Sequence, residues 1–366
     1  MITRRGMLAG AGAAMAWGTL SVPSWAARER RAPAGPARLA AAMPHTQVTP
    51  PIRTVPPVNL RVMAEGLRLP EGPIVMADGT VIVVEVEARC LSRCHPDGAV
   101  EVIAELGGGP NGAAIGPDGA CYVANNGGFV WAKAPNGLTL PTQDLGDYTG
   151  GSIQRVDLAS GQVSTLYDSV DGQRLSSPND LVFDGDGGFW FTDWGKPRAR
   201  STDRGGLYYA RADGSLIREA VFPLVTPNGI ALAADGRTLY VGESSRGRLL
   251  VGDVKAPGEI GGEGGVAVMG MPPLRLLAAP GGNTGFDGMK LEADGSICIA
   301  TSEKGGITRV TADGTTIEHT PLDDFITTNL AFGGQDMKTC YVTLGASGRL
   351  VALDWPRPGA KVRFQG

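Results

Sequence analysis

From residue 58 onward the chain repeats one pattern of apolar and polar positions: a short apolar segment, a tight acidic turn, then a run of β-branched and aromatic residues. The runs Thr80-Val-Ile-Val-Val, Cys121-Tyr-Val-Ala, Phe189-Trp-Phe-Thr and Leu239-Tyr-Val-Gly each follow such a turn. This is hairpin patterning, and no amphipathic run of helical period interrupts it. The turn acids Asp78, Asp118, Asp186, Asp235, Asp294 and Asp336 lie 40, 68, 49, 59 and 42 residues apart, which is a propeller-like period with insertions in its longer members. Five of the six turns read Asp-Gly.

A second set of turns at Asp97-Gly98, Ser160-Gly161, Asp213-Gly214 and Asp313-Gly314 gives two hairpins, hence four strands, per repeat. Six four-stranded units that cannot bury both faces alone predict an all-β fold, a six-bladed β-propeller with four antiparallel strands per blade, with a β-sandwich as the alternative. The blades are expected to begin near 71, 111, 179, 228, 287 and 329. The last repeat ends at Gly348-Arg-Leu-Val-Ala-Leu-Asp, one strand short, so Val58-Asn-Leu-Arg-Val-Met-Ala-Glu is expected to complete it and close the ring. Two insertions stand out. Residues 126–150 are expected to form a lid carrying Trp131 and Tyr148, and residues 255–283 form a Gly/Pro-rich extension of the fourth blade.

Composition agrees with many short strands: 55 glycines and 42% hydrophobic residues in 366. A net charge of −4, with no cluster of Lys and Arg with interleaved aromatics beyond residue 35, suggests no surface for nucleic acid. Residues 1–27 read as a twin-arginine export signal, with Thr3-Arg4-Arg5-Gly6-Met7-Leu8, a weakly apolar stretch from Leu8 to Leu20, and Ser24-Trp25-Ala26 as a cleavage site. That stretch is too short to span a bilayer, so stable membrane insertion after signal removal is not expected. The protein is expected to be periplasmic or secreted. Residues 28–57, rich in Ala, Pro and Arg, read as an extended or disordered linker, and 58–366 as the propeller domain.

Export would permit disulfides among Cys90, Cys94, Cys121, Cys298 and Cys340. Cys90 and Cys94 stand four apart in a strand, about 13 Å between Cα atoms at about 3.3 Å per residue, too far to bridge. The other three read as buried small hydrophobes. His45, His95 and His319 fall in the linker or beside second-class turns, with the surface as their default position, and no Gly-x-Ser-x-Gly elbow occurs.

The candidate chemistry comes from the repeat itself. An oxygen-bearing residue stands seven positions before each turn acid: Glu71, Asn111, Asn179, Asn228, Asp287 and Asn329. A strand that starts there and ends at the turn puts all six at the end of the ring remote from the turns. Passing seven residues beyond the turn returns to the same end, at Glu85, Asn125, Asp193, Thr301 and Thr343, with Glu243 one residue later. Two carboxylates with neutral amide oxygens suit a divalent ion of hard character, Ca²⁺ best, with Mg²⁺, Mn²⁺ or Zn²⁺ open.

The motifs Pro70-Glu71-Gly72-Pro73, Ser177-Pro178-Asn179-Asp180, Pro227-Asn228-Gly229, Phe286-Asp287-Gly288-Met289 and Thr328-Asn329-Leu-Ala-Phe-Gly-Gly together resemble the regucalcin/gluconolactonase (senescence marker protein-like) family of six-bladed propellers, over roughly residues 58–356. The resemblance implies one divalent metal held by Glu71, Asn179, Asn228 and Asp287, leaves Asn111 and Asn329 as supporting or substrate-facing residues, and implies hydrolysis of a sugar lactone. Members of the family often carry an arginine where this chain has Ser177, so the identity of the sugar does not carry over.

The expected mechanism is metal polarisation of the lactone carbonyl, with Asp287 as the catalytic base that takes a proton from water. Asn111, Asn125, Asp193 and Glu243 are expected to bind substrate hydroxyls. A calcium-dependent phosphotriesterase and a non-catalytic calcium- or sugar-binding propeller are the rival readings.

Overall fold

A computed structural model describes residues 50–364 except 136, 147 and 262–272. The export signal, His45 and most of the linker therefore lie outside the described residues, as does the middle of the fourth-blade insertion. These described residues form one compact unit.

The unit is a six-bladed propeller. Its innermost strands are Pro70–Val75, Pro110–Ile115, Pro178–Phe183, Pro227–Leu232, Gly285–Leu291 and Thr327–Gly333, within a residue or two of the starts that the turn spacing predicts. Each pairs antiparallel with the strand beyond its turn, and the sheets continue outward by hairpins. The two inner strands of each blade are buried on both faces between neighbouring blades, so they read as continuous apolar runs such as Val81–Glu85 and do not alternate. Outer strands such as Val100–Glu105 are half exposed. The core lies mainly between blades: Tyr122 of the second packs edge-on against Phe183 of the third, with ring centroids 5.1 Å apart.

The turns work as their sequence requires. Gly79 sits at φ 85° and Gly119 at 75°, while the exception to the Asp-Gly rule puts Met337 at 57°. The Asp side chain caps its own turn, for example Thr80 N–H to Asp78 Oδ1 at 2.9 Å and Arg237 N–H to Asp235 Oδ1 at 2.8 Å. In the third blade Asp184 does this work, accepting from both Asp186 N–H and Gly188 N–H.

The ring closes as expected: Val58–Ala64 pairs antiparallel with Arg349–Asp354 as the outer strand of the sixth blade. One part of the linker expectation changes. Ile52–Thr54 is a strand, pairing parallel with Ile317–Thr320 as a fifth strand on the fifth blade. Arg53 there pairs with Glu318, which also meets Arg309 and Arg357, so an ion network that also reaches the buried Glu292 fastens the segment. At the turn end, the C-terminal segment crosses the ring. Ala360 N–H bonds Leu291 O at 2.8 Å, Arg363 bonds Ala234 O at 3.2 Å, and the Phe364 ring meets Phe183 edge-on at 5.8 Å.

Among the described residues all five cysteines are free and buried. His319 departs from its expected surface position. It is buried, with Nδ1 3.1 Å from Thr308 Oγ1 and Nε2 3.0 Å from Gly305 O, and burial pushes it down to about 4.

Candidate metal centre and active site

All six innermost strands break register with their partners at the same place, close to the mouth remote from the turns. Pairing jumps from Pro110 to Ala113, Pro178 to Leu181, Pro227 to Ile230 and Phe286 to Met289, with like shifts after Glu71 and Thr327. A bulge of this kind frees a residue from the ladder and re-aims its side chain. The residues freed in the middle four blades are Asn111, Asn179, Asn228 and Asp287 with the residue that follows each.

Glu71, Asn111, Asn179, Asn228 and Asp287 line one cavity of about 420 Å³. Hydroxyls between blades hold the strands that carry them: Thr192 to Asn228 O at 2.5 Å, Ser244 to Phe286 O at 2.7 Å and Thr328 to Pro70 O at 2.7 Å. Asn329 is fully buried behind the cavity and donates from Nδ2 to Glu71 Oε2 at 2.8 Å, so it supports a carboxylate. Gly288 makes room for it, because a Cβ there would lie 2.0 Å from Asn329 Cγ.

The electrostatics are those of a site short of positive charge. Burial, then the nearby Asp287 and Asp180, hold the Glu71 carboxyl well above the usual range. Burial also raises Asp287 to about 7, against the lowering effect of Ser302, whose Oγ donates to Oδ2 at 3.0 Å. Asp180 is a third buried carboxyl, outside the six phased positions, also raised by burial. Its only signal was adjacency to Asn179 in the Asn-Asp pair.

The carbonyl oxygens of Asn179 and Asn228 are buried without a hydrogen-bond partner among the described residues. Such groups are costly unless something fills their lone pairs. Two unpartnered amide oxygens beside two charge-strained carboxyls fit an oxygen-coordinated divalent cation. Among the described residues no three His, Cys, Asp or Glu side chains converge as a metal-binding group, so the set at the mouth relies on its amides.

Three of the expected substrate contacts lie outside the cavity lining. Asn125, Asp193 and Glu243 stand at the mouth end but turn to backbone. Asn125 Oδ1 accepts from Gly109 N–H at 2.9 Å, Asp193 from Ser176 and Ser177 N–H at 2.7 Å each, and Glu243 from Val225 N–H at 2.9 Å, with Arg248 on its other oxygen. Glu85 does the same for Arg68 N–H at 2.8 Å. Each clamps the loop that enters its innermost strand, where unpaired N–H groups would otherwise be buried.

The second-blade insertion overhangs the cavity, with Phe129, Trp131, Pro141, Thr142 and Gln143 in its wall. Trp131 is where the lid expectation put it. Tyr148 instead anchors the insertion, its hydroxyl donating to Ser176 O. Lys196 reaches across from the third blade, buried, with Nζ 4.0 Å from the Phe129 ring centre and 4.5 Å from that of Tyr148, donating to Asn126 O at 3.0 Å and Gly128 O at 2.5 Å. Burial pushes its ammonium down to about 8. Ser177 lines the wall where the family often has arginine.

Residues 69–346 match the model of the SMP-30/Gluconolactonase/LRE-like region. The chain belongs to this family. It is 28% identical over 209 residues to a gluconolactonase of Zymomonas mobilis, covering 51% of this chain and 52% of that protein. It is 29% identical over 208 residues to lactonase drp35 of Staphylococcus saprophyticus, covering 56% of each. The chain thus matches about half the length of these curated relatives. Among solved structures, a regucalcin described as a calcium-binding protein, from Agrobacterium tumefaciens, superposes with a TM-score of 0.67 at 21% identity, over 86% of this chain and 99% of that one. A gluconolactonase from Xanthomonas campestris gives 0.63 at 22%, over 84% and 97%. At these identities the structural likeness establishes the propeller fold.

Proposed function

We propose that this family member is a divalent-cation-dependent lactonase. The observation that carries the reading is the pair of unpartnered amide oxygens, Asn179 Oδ1 and Asn228 Oδ1, in one cavity with Glu71 and Asp287. Relatives named gluconolactonase and lactonase support the choice of a cyclic ester as substrate. Glu71, Asn179, Asn228 and Asp287 would hold the cation, for which calcium suits the flexible oxygen shell, and it would supply Lewis-acid polarisation of the lactone carbonyl.

Asp287 is the base in this reading. Its carboxylate takes the proton of the attacking water as the water oxygen bonds to the carbonyl carbon. When the ring C–O bond breaks, the same proton passes to the departing ring oxygen, leaving a hydroxy acid. Ser302 steadies the carboxylate through Oδ2. Asn111, on the cavity wall, would bind the substrate. The wall that Asn125, Asp193 and Glu243 do not reach is formed by the insertion and by Trp194 and Ile326.

The test is hydrolysis of a panel of aldonolactones by purified protein, with chelator and with Ca²⁺, Mg²⁺, Mn²⁺ or Zn²⁺ added singly, and with a fluorophosphate alongside. Lactone turnover that chelator abolishes and Asp287→Ala removes is expected. Cation-dependent stabilisation without turnover of any lactone would make the chain a binding propeller instead, and preferential fluorophosphate hydrolysis a phosphotriesterase. We also propose export by the twin-arginine route on the strength of residues 1–27, which cell fractionation with and without Arg4 and Arg5 would check.

A further inference from the structure

Beside Asn125, whose side chain is taken up by backbone and by Gln154, stands a residue with a different fate. Asn126 is 1% exposed and lines the same cavity as Glu71 and Asp287. Its Oδ1 accepts from Gly128 N–H at 2.9 Å, which fixes which way round the amide lies. The other end, Nδ2, is buried with no hydrogen-bond partner among the described residues. An amide N–H₂ cannot ligate a cation, so the unfilled group calls for an acceptor oxygen.

The surroundings are built to hold this amide still. Gly109 passes so close that a Cβ there would lie 2.3 Å from Asn126 Oδ1. Asn126 N–H bonds Gly109 O at 2.8 Å, and Lys196 takes the Asn126 carbonyl from the other side. Two residues on, Lys196 also takes Gly128 O and sits against the Phe129 ring, which meets Trp131 edge-on at 5.8 Å. Phe129 and Trp131 both face the cavity.

We propose that Asn126 binds the substrate of this site, Nδ2 donating to an oxygen of the cyclic ester while Phe129 and Trp131 cover the C–H face of its ring, with Lys196 as the positioning residue that fixes the segment. This rests on the lactonase reading and adds to it the wall that orients the ester above the cation. The donor contributes to substrate binding and to the transition state alike, so its loss raises KM more than it lowers kcat.

The experiment compares wild type, Asn126→Asp, Asn126→Ser and Lys196→Met in saturating Ca²⁺. Asn126→Asp keeps the acceptor for Gly128 N–H and replaces the donor with an acceptor; Asn126→Ser covers the case in which the buried carboxylate prevents folding. KM for a hydrolysed lactone should rise roughly tenfold in the Asn126 variants, as for one lost hydrogen bond, with kcat within about twofold. Calorimetric affinity for an unreactive six-membered lactam should fall by the same factor, while the Ca²⁺ midpoint stays that of wild type. Lys196→Met should raise KM in the same sense. A folded Asn126 variant with wild-type KM and lactam affinity overturns the assignment while leaving the lactonase reading intact. A wild type that hydrolyses no lactone overturns both.

Discussion

Replacing Asn179 with Leu should stabilise the cation-free protein and abolish its response to the cation. Asn179 Oδ1 is buried without a partner among the described residues, so the substitution removes an unsatisfied acceptor and sacrifices no bond to it there. An orphaned polar group of this kind costs about 1–3 kcal/mol. The added methyl carbons have the cavity to occupy. With an unfolding entropy of about 2 cal/mol/K per residue over roughly 300 ordered residues, the relief corresponds to a melting temperature about 2–5 °C higher in chelator. Wild type in cation at about 100 times its dissociation constant should gain about 2.7 kcal/mol, or roughly 4 °C, and the variant should gain nothing. Scanning calorimetry of both proteins, with chelator and with Ca²⁺, reads the two effects with opposite signs. An Asn179→Leu protein that melts below wild type in chelator yet keeps the Ca²⁺-induced rise would refute the claim that this oxygen is held open for a cation.

Gly288→Ala should weaken both fold and cation binding, because its Cβ would displace Asn329, the donor to Glu71. Overpacking of this kind costs about 1–3 kcal/mol, and a Ca²⁺ titration followed by melting would show both losses; an unchanged midpoint would place Glu71 outside the site. Acid should destabilise the protein through His319. Burial pushes the folded imidazole down to about 4 from an ordinary 6.5, so between those values the unfolded chain binds the proton and the folded one does not. Stability is therefore lost as pH falls from 6.5 to 4, by up to about 3 kcal/mol. Urea midpoints at pH 7 and 4.5 should differ less in His319→Gln than in wild type, and an equal difference would assign the acid loss elsewhere.

The fold was legible because propeller blades repeat their local chemistry. Each turn needs an Asp and a positive φ, each inner strand a continuous apolar run, and these signals survive in one sequence without any knowledge of long-range contacts. The missing strand of the sixth blade could be counted. The short strand at Ile52–Thr54 could not, because what holds it is a parallel pairing with Ile317–Thr320 and an ion pair to Glu318, both more than 260 residues away. In the site, the seven-residue phasing told which end of the ring each side chain occupies. It did not tell where the side chain points. That is decided by register shifts in the inner strands and by the demand of entering loops for acceptors, which claims Asn125, Asp193 and Glu243 and spares Asn126. Asp180 was hidden for the same reason, since only a bulge lets two successive residues, Asn179 and Asp180, both face inward.

The seam of the ring lies between Val58–Ala64 and Arg349–Asp354, and the register there sets Val58 opposite Asp354. The start of one strand and the finish of the other are thus neighbours across a single ladder rung. A short loop grafted between them would turn the seam into an ordinary hairpin, and fresh ends could be cut at an exposed rim turn such as Asp97-Gly98 without touching the mouth. Permuted versions of this kind give up the Ile52–Thr54 strand and the segment that crosses the turn end, but those pack away from the mouth, so the same central cavity should still assemble.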